Sequence, residues 1–213
     1  MERIAIVGSG GFAREILTLI NDINNQTKKY EFVGFVGLDK NQTMHGYPVI
    51  GNDEEINKTT EPISLVIAVG EPNLKEKIRS KYTNPLISFP TLVHPSVIVG
   101  DLESVKIGNG CIICAGCILT TDIVLHDFVT LNLQCTVGHD TVINDYASFM
   151  PSVNISGEVN VGKGVYVGTG AKIINQLEIG DNTIVGAGAV VANSLPANCT
   201  AVGVPAKPIK FNQ

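Results

Sequence analysis

The sequence predicts two domains: an α/β unit with a parallel sheet over residues 1–90, followed by a parallel β-helix over residues 91–213. In the first part, apolar strand-like runs alternate with segments of helical spacing. In the second part, an apolar residue recurs at a period of six, which is typical of a solenoid with one strand per repeat. The composition agrees with this interpretation, since 44% of the residues are hydrophobic, only 6% are aromatic and glycine occurs 22 times.

The first part has the pattern of a βαβ unit. Apolar runs predict three strands, and helical spacing of apolar or charged residues predicts two helices. Because strands and helices alternate, we expect one parallel sheet. In chain order the predicted elements are strand 3–7, helix Ala13–Ile23, strand Glu31–Val36, strand Leu65–Val69 and helix Leu74–Tyr82.

A glycine-rich turn separates the first strand from the first helix. Gly8 and Gly10 lie in this turn, and Ala13 opens the helix behind it. This arrangement favours phosphate binding at the helix N-terminus, and Asp39 ends the next strand. The domain is too short for the second half of a dinucleotide-binding fold, so a single nucleotide or a nucleotide sugar is the expected ligand. The alternative is a turn that only packs the helix against the strand.

The second part repeats with a period of six. A second series of small or apolar residues follows the first by four positions, so each repeat is expected to point two side chains inward. Three repeats make one coil of a triangular prism, and residues 92–106 are expected to add an irregular coil. The first series comprises Ile107, Ile113, Leu119, Leu125, Leu131, Val137, Ile143, Phe149, Ile155, Val161, Val167, Ile173, Ile179, Val185 and Val191.

The five cysteines have a structural interpretation. Cys111, Cys114 and Cys117 have the spacing of a metal motif. However, the repeat places Cys111 and Cys117 inward on different faces of the prism, where they would not converge on a metal. We therefore expect small buried side chains in place of a metal site, and an odd cysteine count argues against a disulfide framework.

His139 is the candidate catalytic residue of the repeats. It follows the inward-facing Val137 by two positions and is expected to project outward from a flat face of the prism. The same slot one coil later is Gly157, and coils lie about 4.8 Å apart, so a glycine backbone is expected over the imidazole, with its N–H available to an oxyanion. Asp140 is placed to fix the imidazole tautomer, and Asn132 to position a substrate. The alternative is a solvated surface histidine beside an aspartate.

Several classes of protein are disfavoured. The net charge is −5 and no basic stripe is present, which argues against nucleic-acid binding. No segment approaches the roughly 18 apolar residues of a membrane span, and the N-terminus does not resemble a signal peptide, so a cytoplasmic protein is expected. Structural or solvated roles are expected for His45, His94 and His126, which leaves too few histidines for a zinc-dependent β-helix of the γ-carbonic-anhydrase type.

The motifs together resemble a known family. The turn GSGGFA, the hexapeptide repeats, the Asn132…His139-Asp140 arrangement and the closing segment 202–207 (VGVPAK) are similar to the sialic acid O-acetyltransferase NeuD family. Within it, the resemblance is to nucleotide-amino-sugar N-acetyltransferases of the PglD type, and it covers essentially the whole chain. It implies a left-handed coil, a homotrimer with active sites between neighbouring β-helices, acetyl-CoA as co-substrate and no metal.

The resemblance also implies roles for individual residues. It assigns His139 as general base, Asp140 as the acidic residue that increases its basicity, and the Gly157 amide as the group that meets the acetyl group. The residues expected at acetyl-CoA are Gly157, Thr169, Ala187 and Lys207. The residues expected at the nucleotide sugar are Gly8, Ser9, Gly10, Gly11, Asp39, Lys40 and Gly70.

Three positions depart from the family pattern. Asp140 stands where PglD has glutamate, Ser148 stands where some members have a second histidine near the acetyl group, and Phe12 stands in the sugar-binding turn. The expected reaction is transfer of acetyl from acetyl-CoA to an amino group of a nucleotide-linked sugar. The alternatives are O-acetylation of a sugar of the sialic acid type or of serine, and a scaffold without catalysis.

Overall fold

The computed structural model describes residues 1–37 and 43–211, which fall into two compact units. The units are Met1–Pro95 and Ser96–Gln213, so the boundary expected after residue 90 falls inside the first unit. Within the described ranges, no helix is both long and apolar enough to cross a lipid bilayer.

The first unit is built on a six-stranded sheet in the order β3-β4-β2-β1-β5-β6. All neighbouring strands are parallel except β3 and β4, which confirms the predicted parallel sheet. A further strand, Leu92–Val93, ends the unit. The elements are β1 Glu2–Val7, α1 Gly11–Thr27, β2 Tyr30–Val36, β3 Thr43–Met44, β4 Tyr47–Gly51, α2 Asp53–Ile56, β5 Ile63–Ile67, α3 Pro72–Ser80 and β6 Ile87–Ser88.

Burial explains the elements that the sequence predicted. β1 lies between β2 and β5, and its residues from Ile4 to Val7 are buried, as expected of a strand covered on both faces. Helix α1 buries one apolar stripe at helical spacing and ends at Thr27, and its C-cap Lys28 has a left-handed conformation with φ 45°. The sequence analysis missed β3, β4, α2 and β6, because these elements are short and β4 contains Pro48.

The second unit is a parallel β-helix whose two-residue strands stack coil upon coil to form three faces. Along the first face lie Ile112–Ile113, Thr130–Leu131, Ser148–Phe149, Tyr166–Val167, Ile184–Val185 and Cys199–Gly203, with Ala206–Phe211 antiparallel to the last. Along the second lie Ile98–Val99, Ile118–Leu119, Thr136–Val137, Asn154–Ile155, Lys172–Ile173 and Val190–Val191. Along the third lie Lys106–Ile107, Val124–Leu125, Val142–Ile143, Asn160–Val161 and Glu178–Ile179.

The two inward-facing series form the core, as the period predicted. Every member of the first series after Ile107 is buried, and every member of the second except the half-buried Leu177. The extra coil is also present: Ile98–Val99 pairs with Ile118–Leu119, and Lys106–Ile107 pairs with Val124–Leu125. The longer connection in this coil bulges out at Leu102, which is 81% exposed.

All five cysteines are buried free thiols, which confirms the structural interpretation. The inward Cys117 donates its S–H to the carbonyl of Asn132, with an S···O distance of 3.1 Å. Cys135 stacks next to it, one coil later, and the hydrogen bond with Cys117 together with burial raises the pKa of the Cys135 thiol. A buried, protonated thiol is a poor nucleophile, so these side chains serve packing.

Left-handed residues mark the corners of the prism. From Gly110 to Gly188, every sixth residue has a positive φ. Five of the fourteen are glycine. In each of the others, the left-handed backbone conformation costs about 1–2 kcal/mol of conformational energy. The residues other than glycine are Asp122, Phe128, Gln134, Asp140, Tyr146, Ser152, Glu158, Gln176 and Asn182.

Gly170 is the position at which to measure this backbone strain. Its φ is 73°, and a Cβ built there would have no neighbouring atom within 4 Å. We therefore expect Gly170→Ala to lower the free energy of unfolding by about 1 kcal/mol through strain alone, measured by denaturant unfolding. Gln134→Gly, at a corner with φ 59°, should change stability in the opposite direction. An unchanged stability in both variants would contradict the strain argument.

Candidate functional site

His139 and Asp140 form a hydrogen-bonded pair at the corner between the second and third faces. The prediction that His139 projects from a flat face is therefore wrong, because the strand ends at Val137 and the chain turns before the next strand begins at Val142. The imidazole Nδ1 lies 2.8 Å from Asp140 Oδ2, and both side chains are more than half exposed. A carboxylate accepts only, so this contact defines Nδ1 as the protonated nitrogen and leaves the Nε2 lone pair free. Asp140 is also the left-handed corner residue, with φ 56°, a conformation that aspartate tolerates better than most residues.

Gly157 lies directly against the imidazole, one coil later, as predicted. A Cβ built on Gly157 would lie 2.5 Å from His139 Nε2, so no side chain fits there. The Glu158 N–H donates to the His139 carbonyl at 2.7 Å and fixes the spacing between the two coils. The Gly157 N–H has no acceptor among the described residues, and Gly157 itself is buried beneath the imidazole.

Gly138 is a site residue that the sequence analysis did not single out. A Cβ at Gly138 would lie 2.5 Å from the Gly157 nitrogen, so glycine is required for the two coils to approach at this point. The signal was in the sequence, because glycine often follows the first inward residue of a repeat. Its meaning appears only when two coils are stacked.

The other predicted residues of the β-helix lie on a different corner or face. Asn132 is at the corner between the first and second faces, buried, and its Oδ1 accepts from the Leu133 N–H at 2.7 Å. Thr169 and Ala187 lie at this same corner in later coils, and both are exposed. Within one chain, therefore, the predicted acetyl-CoA residues Thr169 and Ala187 are not on the corner that carries His139.

Two remaining positions lie on the first face. Lys207 is exposed on the closing strand Ala206–Phe211, where it pairs with Val202. Ser148, where some family members have a second histidine, is fully buried within the chain. A ligand could therefore meet Lys207 directly in this structure, whereas it could meet Ser148 only after a rearrangement.

The glycine turn of the first unit exposes the start of α1. The helix begins at Gly11, its N-cap is Gly10, and no side chain caps the first N–H groups. A Cβ at Gly10 would meet nothing within 4 Å, so the space in front of the helix is open. Uncapped N–H groups beside open space suit a phosphate. Ser9 lies exposed in this turn, and Gly70 follows β5, while Asp39 and Lys40 lie outside the described residues.

A cavity of about 670 Å³ opens at the carboxyl ends of β1, β2 and β4. Ligands of open α/β sheets bind at this edge. Of the predicted residues that the structure describes, only Gly8 lines it. The sequence analysis missed the others because it did not identify β4 and α2. The lining residues are Val7, Gly8, Gly37, Asn52, Asp53, Glu54, Asn57, Leu74, Ile78 and Lys81.

Asp53 joins α2 to the end of α3 at this cavity. Tyr82 Oη donates to Asp53 Oδ1 at 2.6 Å, and Lys81 Nζ donates to Oδ2 at 2.6 Å. Burial alone would raise the pKa of Asp53, but the hydrogen bonds from Lys81 and Tyr82 outweigh it and lower that pKa. Burial and the bond to Asp53 raise the pKa of Tyr82. Both carboxylate oxygens of Asp53 thus already accept hydrogen bonds from within the protein.

The described residues contain no group of three or more histidine, cysteine, aspartate or glutamate side chains placed to hold a metal ion.

Two family profiles match the chain. Residues 3–82 match the PglD N-terminal domain, and residues 158–193 match the bacterial transferase hexapeptide of six repeats.

Individual proteins of known activity are similar over most of the chain. GDP-perosamine N-acetyltransferase of Escherichia coli is 27% identical over 81% of this chain and 78% of its own length. The crystal structure of PerB from Caulobacter crescentus, in complex with CoA and GDP-perosamine, is 30% identical and covers 99% of this chain and 98% of its own, with a TM-score of 0.87.

A third similar protein is the acetyltransferase domain of PglB from Neisseria gonorrhoeae, solved in complex with acetyl coenzyme A. It is 28% identical, covers 98% of this chain and 99% of its own, and has a TM-score of 0.88. These similarities confirm the predicted fold class, an α/β domain followed by a left-handed β-helix.

Proposed function

Because this chain belongs to the PglD-like hexapeptide-repeat acetyltransferases, we propose that it transfers the acetyl group of acetyl-CoA to the amino group of a nucleotide-linked sugar. The observation that carries the proposal is the contact between His139 and the Gly157 backbone, with Asp140 on the other side of the ring. The similar proteins support the substrates, since one was solved with CoA and GDP-perosamine and another with acetyl coenzyme A.

In the proposed reaction the sugar amine attacks the thioester carbonyl. His139 Nε2 removes a proton from the attacking nitrogen, while the Asp140 carboxylate holds the Nδ1–H and stabilises the imidazolium that forms. The Gly157 N–H donates to the oxygen that becomes negative in the tetrahedral intermediate. When the intermediate collapses, the C–S bond breaks, the amide remains on the sugar, and the imidazolium proton passes to the departing CoA thiolate.

We further propose that the active enzyme is a homotrimer with its sites between neighbouring β-helices. Thr169 and Ala187 lie on a different corner from His139 within one chain, so one acetyl-CoA molecule meets both sets of residues most directly if a second copy supplies one of them. Both substrates are charged and do not cross membranes unaided, which favours a cytoplasmic reaction. Sedimentation of the purified chain at three times its monomer mass would agree, whereas an active monomer would contradict the shared site.

The reaction is tested by thiol release from acetyl-CoA. The acceptors are UDP-, dTDP- and GDP-linked amino sugars, with sialic acid and serine as the acceptors of O-acetylation, and mass spectrometry locates the new acetyl group. Turnover with an amino sugar and an amide product is the expected result. Turnover only with a hydroxyl acceptor would replace the proposal with O-acetylation, and turnover with none of these acceptors would overturn both.

Asp140→Asn isolates the charge beside the catalytic imidazole. Asparagine has nearly the same shape and also tolerates the left-handed conformation, so the corner should be preserved. We expect kcat to fall about tenfold, a modest loss because the pair is more than half exposed and solvent screens it. Steady-state kinetics measures the effect, and Asp122→Asn, one coil earlier at the same corner, is the matched control. Equal activity of Asp140→Asn and wild type would remove Asp140 from the mechanism.

A further inference from the structure

The cavity at the carboxyl edge of the first unit has one apolar side and one polar side. Leu74 and Ile78 of α3, together with Val7, supply apolar surface, and α2 supplies polar groups from the other side. Its volume of about 670 Å³ is within the usual range for small-molecule sites. Gly8 belongs both to the glycine turn and to the cavity wall, so the turn and the cavity adjoin, and a nucleotide with its phosphates at the turn can reach the cavity with its base.

Most of the polar groups on the α2 side already have partners. Asn52 and Glu55 form a capping box, in which each side chain bonds the backbone of the other. Both oxygens of Asp53 accept from Tyr82 and Lys81. Asn57 Oδ1 accepts from the N–H groups of Thr83 and Asn84.

Among the carboxylates on this side, Glu54 is the exception. It lines the cavity, is exposed, and has no hydrogen-bond or ion-pair partner among the described residues. An ionised carboxylate offers only acceptors, two oxygens side by side. It therefore selects a ligand edge that presents two neighbouring donors.

Among the common nucleobases, guanine has such an edge. Its N1–H and N2–H₂ lie side by side and match the two oxygens of a carboxylate. In uracil and thymine a single N–H lies between two carbonyl oxygens, which a carboxylate repels. In cytosine and adenine the amino group lies beside a ring nitrogen that is itself an acceptor, so only one good bond forms.

We infer that this cavity binds the guanine base of a GDP-linked sugar and that Glu54 is the residue that determines this specificity. The inference rests on the proposed function, since it names the nucleotide of the proposed acceptor. The flat base packs against Leu74 and Ile78, and Glu54 accepts from N1–H and N2–H₂. The uncapped start of α1 receives the diphosphate.

Binding of nucleoside diphosphates, measured by titration calorimetry without acetyl-CoA, tests the inference. We expect GDP to bind at least about tenfold more tightly than UDP, dTDP or ADP, because two charge-assisted hydrogen bonds distinguish it. Glu54→Gln should weaken GDP binding about tenfold or more and leave UDP binding unchanged or tighter, since an amide also offers a donor. Glu31→Gln, an exposed residue near the start of β2 at the opposite edge of the sheet, should change neither.

The outcomes separate this inference from the proposed function. Equal or tighter binding of UDP or dTDP would overturn the guanine assignment and leave a nucleotide-sugar acetyltransferase intact. A GDP preference that survives Glu54→Gln would overturn the role of Glu54. A chain that binds none of the diphosphates, and acetylates no nucleotide-linked sugar, would overturn the proposed function as well.

Discussion

Replacing His139 with alanine is expected to lower kcat by about 10³-fold, because the attacking amine would lose the base that removes its proton. The KM for acetyl-CoA should change little, since the variant removes a group that acts on the acceptor. The imidazole is half exposed and lies on the outer surface, so the fold should be unaffected. Thiol release in a stopped assay with saturating acetyl-CoA and acceptor measures the loss.

His126→Ala is the matched control for this variant. His126 is also exposed, but at a different corner, between the third and first faces, and should be dispensable. Comparable activities of the two variants would show that neither histidine is the base. A His139 variant that keeps more than about a tenth of the wild-type kcat would require another group as base, and the contact with Gly157 would lose its catalytic meaning.

Gly157→Ala is expected to lower kcat about 10²-fold without unfolding the protein. The new Cβ would lie 2.5 Å from the imidazole Nε2, so either the ring or the coil must move. Each movement shifts the base relative to the Gly157 N–H, and small displacements of catalytic groups cost large factors in rate. The φ of Gly157 is not in the left-handed region, so the effect is steric and not a consequence of backbone strain.

Gly162→Ala separates catalysis from packing. Its Cβ would lie 2.4 Å from Asp181 Oδ1, a contact of similar closeness but at a corner without catalytic residues. Both variants should lose some stability in thermal unfolding, whereas only Gly157→Ala should lose the large factor in kcat. If kcat falls equally in both, the loss at Gly157 reflects general loosening of the coil.

The β-helix could be predicted from the sequence nearly completely, because every hexapeptide forms the same short strand and turn. Each repeat buries two side chains, so one inward residue such as Val137 fixes the outward position of His139 and the coil partner Gly157. The left-handed corners were not predicted, since nine of the fourteen are not glycine and their conformation follows from stacking. Gly138 was also not singled out, because the requirement for glycine there comes from its contact with Gly157 in the next coil.

The first unit was predicted less completely, because its site depends on contacts between distant segments. The glycine turn was visible as a local pattern, and the structure confirms the position of Gly10 before α1. The cavity, however, is built from α2, α3 and the ends of three strands. Glu54 sits in a short acidic stretch, Asp53-Glu54-Glu55, and sequence alone does not show that its two neighbours are engaged with Lys81 and Asn52.

The register that places Gly157 on His139 also determines where the chain tolerates insertions and deletions. Removing one hexapeptide between these residues would move Gly157 to a different corner of the prism from His139. A different residue would then lie over the imidazole. Adding a whole coil there would leave the face unchanged but separate the two groups by a further coil spacing. Beyond Val191, by contrast, added or lost coils leave the pair untouched. Length variation among homologues is therefore expected at the C-terminal end of the helix and in the exposed corner at Leu102, and not between positions 139 and 157.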